Sequence, residues 1–123
     1  MIDYSARILF VAAVDKEAAA RPEGTPLLVT GIGTLPAAIS LTEYLTVARE
    51  EGTLPERVVN IGTVGALRDG LDGVYEVDRV VKHDFQLKVL SDISRYLLPA
   101  VIELPTSGKF PAQGLATGDM FVS

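Results

Sequence analysis

The sequence predicts an α/β fold with an at least partly parallel sheet. Three observations carry that expectation. Short continuous apolar runs recur along the chain, a pattern suited to strands covered on both faces. An amphipathic helical stretch separates two of these runs, giving strand, helix and strand in the order of a crossover unit. Small residues and glycines follow the predicted strands, where α/β sheets bind ligands.

The first strand is Ile8-Leu9-Phe10-Val11-Ala12-Ala13-Val14, stopped by Asp15, Lys16 and Glu17. Leu27-Leu28-Val29-Thr30 is the second, and Arg57-Val58-Val59-Asn60-Ile61, preceded by Pro55, the third. The helix lies between the last two. Thr34 is its expected N-cap, and Pro36 occupies the first turn, where a missing N–H does no harm. Leu35, Ala38, Ile39, Leu41 and Leu45 form its expected apolar stripe, and Gly52 stops it. Turns at Asp69-Gly70 and Asp72-Gly73 lead into a strand over Val74–Val81. Leu87, Leu90, Ile93 and Leu97 are spaced for a short helix ended by Pro99. Ala100–Leu104 is expected as a strand, 105–112 as a loop, and Gly114–Thr117 as the start of a last strand. No repeat, low-complexity tract or linker divides the chain, so one domain is expected over residues 1–123.

Composition narrows the function. Apolar residues make up 48% and charged residues 22% of 123 residues, the balance of a soluble globular protein. A net charge of −5 repels the nucleic-acid backbone, so no nucleic-acid partner is expected. The chain has no cysteine, which removes disulfides and thiol chemistry, and its single histidine, His83, excludes a histidine-rich metal site. The first apolar run is too short for a membrane span and lacks a cleavage site, which points to a cytoplasmic protein without a membrane partner.

Two nucleotide motifs fail on spacing. Gly31-Ile32-Gly33 follows a strand and opens a helix, but the third position of a dinucleotide fingerprint is Pro36. Ser107-Gly108-Lys109 has Glu103 where a phosphate loop needs its first glycine. What remains is a set of strand ends: Gly31-Ile32-Gly33, Gly62-Thr63-Val64-Gly65 and Thr117-Gly118-Asp119. Glu17 lies just past the end of the first strand on the same edge, where a carboxylate can orient and deprotonate a water. With the Thr63 hydroxyl and Phe121, this suits a small polar ligand with a flat ring. The bland alternatives are a solvated loop carboxylate at Glu17, tight turns at Gly62 and Gly65, and a core role for Phe121.

Five segments together resemble the nucleoside phosphorylase and nucleosidase family, above all its methylthioadenosine/S-adenosylhomocysteine nucleosidases. Ala13-Val14-Asp15-Lys16-Glu17 resembles the first strand with its acidic cluster. Thr30-Gly31-Ile32-Gly33 followed by Ala37-Ala38 is similar to the SGIG-x-x-x-A segment. Asn60-Ile61-Gly62-Thr63-Val64-Gly65-Ala66-Leu67 resembles NTGSAGGL. Val77–Val81 with His83-Asp84 resembles a strand ending in a His-Asp pair, and Leu115–Val122 resembles VSGDxFI.

The resemblance implies a three-layer α/β/α fold with a mixed, largely parallel central sheet, and a purine nucleosidase that needs no cofactor. Glu17 matches the glutamate that activates the attacking water. Thr63 stands for a serine near the water and ribose, within the Gly62–Gly65 turn. Ile32 matches a residue lining the ribose and 5′ side, Phe121 the aromatic stacked on the purine, and Val122 the residue whose backbone bonds the base. His83 and Asp84 match segments near a homodimer interface. Phosphorylases of this type hold phosphate with an arginine at the position of Asn60, so the nucleophile is expected to be water; a phosphorylase or futalosine-type hydrolase is the alternative, with Arg21 and Arg68 as arginines to recruit. The family's ribose-gripping Met-Glu pair and its general-acid aspartate have no counterpart, and Glu17–Leu27 is shorter than usual. The chain is therefore expected to be the N-terminal part of such a fold, with a catalytically incomplete nucleoside-binding homologue as the remaining reading.

Overall fold

The computed structural model describes residues 7–83 and 100–118. The chain divides into two compact units, Met1–Gly65 and Ala66–Ser123. Among the described residues, three of the four strand pairings are parallel, both of those in the first unit and one of two in the second, so the architecture is α/β. Each unit holds its own three-stranded sheet, where one central sheet was expected. The helix anticipated over Leu87–Leu97, and with it Asp84, lies outside the described residues.

In the first unit the strands are β1 (Ile8–Ala12), β2 (Leu27–Val29) and β3 (Arg57–Asn60), in the order β2-β1-β3. Both pairings are parallel, with Val11 opposite Leu28 and Phe10 opposite Val59. A central parallel strand is covered on both faces, and the sequence of β1 fits: all five of its residues are buried, Leu9 completely. The strand ends two residues earlier than its apolar run. Val14 instead precedes a 3-10 turn, Asp15–Ala18, which the apolar periodicity does not announce.

Helix α1 (Thr34–Glu51) connects β2 to β3 across β1. Its N-cap is Gly33 rather than Thr34, which becomes the first helical residue. At the other end Gly52 takes a left-handed φ of +72°, and its N–H closes the last turn on Ala48 and Arg49. That backbone geometry costs an L side chain but not glycine. The covered face differs from the expected stripe. Ala37, Leu41 and Leu45 are partly buried and Ala48 is buried, whereas Leu35 and Ile39 are exposed. At about 100° per residue, Leu35 and Leu41 lie about 120° apart around the helix, so the five apolar residues span two faces. The covered face carries Ala37, Leu41, Leu45 and Ala48, while Ala38 is exposed with Leu35 and Ile39.

The second unit contains β4 (Glu76–Lys82), β5 (Val101–Glu103) and β6 (Ala112–Thr117), in the order β5-β4-β6. β4 runs antiparallel to β5 and parallel to β6. The register shifts between Val77 and Arg79, the mark of a bulge. β6 starts at Ala112, inside the stretch expected as loop. Arg79 lies over Gly114: a Cβ there would come within 2.9 Å of Nε. Among the described residues, no helix is long and apolar enough to cross a membrane.

Candidate functional site

The three parallel strands of the first unit end on one edge, and their following residues meet there. Hydrogen bonding continues past each strand: Thr30 N–H donates to Ala12 O (2.9 Å), Gly31 N–H to Ala13 O (3.0 Å) and Ile61 N–H to Val11 O (2.9 Å). These bonds fix the segments after β1, β2 and β3 side by side. Gly31 turns the chain away from the sheet with φ +85°, a conformation that favours glycine.

The 3-10 turn after β1 delivers Glu17 to this edge. Its N–H closes the turn on Val14 O (3.2 Å). The carboxylate then reaches the segment after β3, where Thr63 donates twice to one oxygen. The Thr63 N–H lies 2.7 Å and its Oγ1 3.0 Å from Glu17 Oε2. Among the described residues, the other oxygen, Oε1, accepts a long bond from Val14 N–H, at 3.4 Å. Gly62 lies beside this contact: a Cβ there would stand 3.4 Å from Oε2, an ordinary van der Waals distance.

These bonds set the charge state. The Thr63 N–H, foremost, holds the Glu17 carboxyl below the ordinary glutamate range. Partial burial opposes it, and the Thr63 hydroxyl and Val14 N–H add to it. Glu17 is therefore a carboxylate at neutral pH, with Oε2 anchored on Thr63 and Oε1 held by the single longer bond from Val14 N–H. Such a group can accept a proton or hold a water.

Glu17 and Thr63, predicted from sequence, are thus brought into direct contact. Ile32 sits in the turn after β2 on the same edge and is 81% exposed. Gly65 is exposed in the segment after Thr63. Phe121 and Val122 lie outside the described residues.

No protein-family model matches the chain, and no curated protein matches it significantly.

Sequence reasoning missed two features. The Val14 N–H as a third donor to Glu17 depends on the 3-10 turn. Arg21 spans its own loop, with Nη1 donating to Ala18 O (3.2 Å) and Nε to Thr25 O (3.4 Å).

Proposed function

We propose that the protein is a purine nucleosidase, hydrolysing the N-glycosidic bond of methylthioadenosine- or S-adenosylhomocysteine-type nucleosides. The observation that carries this reading is the Glu17–Thr63 contact at the carboxyl ends of three parallel strands. A carboxylate anchored through one oxygen keeps the other at a fixed angle for a water, which is how a general base is pre-organised. In this reading the glycosidic bond stretches toward an oxocarbenium-like ribosyl cation, Glu17 directs water to the anomeric carbon, and the purine leaves protonated. In this reading Ile32 lines the 5′ side and Thr63 and Gly65 border the ribose; the roles of stacking on the base and bonding it through the backbone are those the family resemblance implies for Phe121 and Val122.

Two observations favour water over phosphate. Asn60, at the end of β3, offers no charge for a phosphate. Arg21 already donates to two backbone carbonyls of its own loop. The wider reading is a cytoplasmic homodimer.

The test is release of adenine from methylthioadenosine, followed with and without phosphate. Release is expected to be independent of phosphate and abolished by Glu17→Gln, with the nucleoside still bound. Formation of ribose 1-phosphate overturns the hydrolase in favour of a phosphorylase. Nucleoside binding without release by the full-length protein overturns the enzyme in favour of a binding protein.

A further inference from the structure

The first unit carries a second surface, away from the strand ends. Among the described residues, β2 has β1 on one side and no strand on the other. Phe10 N–H donates to Pro26 O (3.1 Å), and Thr30 N–H to Ala12 O (2.9 Å). Backbone groups alternate sides along a strand. Pro26, Leu28 and Thr30 therefore face β1, while Leu27 and Val29 direct N–H and C=O to the open edge. Such an edge is a template for an added strand.

A groove of about 460 Å³ lies between β2 and the flank of α1. Leu28, Tyr44 and Val47 give it apolar surface, and among the described residues Glu43 and Glu51 are the charged ones lining it, with no lysine or arginine. The two glutamates are eight residues apart on α1, about 12 Å along the helix axis. An extended chain rises about 3.3 Å per residue, so residues four apart are about 13 Å apart and point to the same face. A strand added to β2 can thus set two basic side chains against Glu43 and Glu51, with an apolar one between them against Val47. A second copy of this chain is a poorer occupant: isologous pairing brings the same two carboxylates together in a molecule already at net charge −5.

We propose that the open edge of β2 and the groove beside it bind an extended peptide segment with two basic residues four apart flanking an apolar one. The site is separate from the Glu17–Thr63 edge and stands whether or not the nucleosidase reading holds.

The probe is a labelled, blocked peptide of sequence Lys-Thr-Val-Thr-Lys-Thr, titrated at low salt by fluorescence anisotropy and by amide chemical shifts. Binding is expected, with the Leu27 and Val29 amides shifting. Glu43→Gln/Glu51→Gln, exposed positions that leave the core untouched, should weaken it about tenfold, as two exposed ion pairs do. The loss should shrink as salt is added. Peptide N-methylation at the edge-facing amides should abolish binding to the unaltered protein. The proposal is overturned if the probe does not bind at millimolar concentration, or if a Glu-Thr-Val-Thr-Glu-Thr peptide binds equally well. It is also overturned if the protein alone is a dimer whose Leu27 and Val29 amides are already protected from exchange.

Discussion

Replacing Thr63 by valine removes one of the two donors to Glu17 Oε2 while keeping the side chain's shape. The lost bond is the 3.0 Å hydroxyl contact; the 2.7 Å N–H contact remains. A hydrogen bond to a charged group contributes about 1.5–3 kcal/mol when buried. Glu17 is only partly buried and Thr63 is exposed, so solvent screening brings this to about 0.5–1 kcal/mol. The sign with pH follows from the depressed Glu17 pKa. Its stabilising contribution is present above the unfolded glutamate value of about 4.3 and is lost as the pH falls through the lower folded value. Thr63→Val should therefore lower the stability at pH 7 and narrow its gap to the unaltered protein in acid. The Glu17 carboxyl should titrate nearer its ordinary value, though not fully there, because the Thr63 N–H is the larger cause of the shift. Urea denaturation from pH 3 to 7, with carbon-detected NMR titration of Glu17, measures both. A stability loss that does not vary with pH, or an unmoved Glu17 titration, would refute the charge-assisted contact.

Two further outcomes are expected. Leu9, the fully buried centre of β1, should cost about 2–5 kcal/mol as Leu9→Ala, read as a fall in the denaturation midpoint; a smaller loss would mean that the sheet collapses around the gap. In the second unit, Glu76 accepts from the Ser107 hydroxyl (2.5 Å), Ser107 N–H (3.0 Å) and Gly108 N–H (3.1 Å), and these bonds hold its carboxyl below the usual range, the hydroxyl foremost. The contact is present above the ordinary glutamate value and lost as pH falls through the depressed one, so Ser107 and Gly108 amide protection should drop in acid and be weak at every pH in Glu76→Gln.

The Glu76 contact also marks where sequence reading stops. Ser107-Gly108-Lys109 failed as a phosphate loop because its first glycine was missing. Its backbone nevertheless receives an anion, supplied from 31 residues earlier by the start of β4. No local pattern reports such a partner.

Local chemistry determined the rest of what was legible. The unbroken apolar run of β1 specified a strand covered on both faces, because nothing polar in it could face water. Gly52 and Pro36 bounded α1 through backbone geometry alone. Glu17 and Thr63 were each visible as polar groups after a strand. Tertiary structure decided what periodicity could not. The covered face of α1 combines Ala37, Leu41, Leu45 and Ala48, and leaves Leu35, Ala38 and Ile39 of the apolar stripe exposed. The grouping of the strands into two sheets depends on pairings between residues distant in the chain. The contact of Glu17 with Thr63 spans 46 positions and exists only because parallel pairing brings the ends of β1 and β3 together. Hydrogen bonds at that range follow from strand order, which one sequence encodes only through the whole fold.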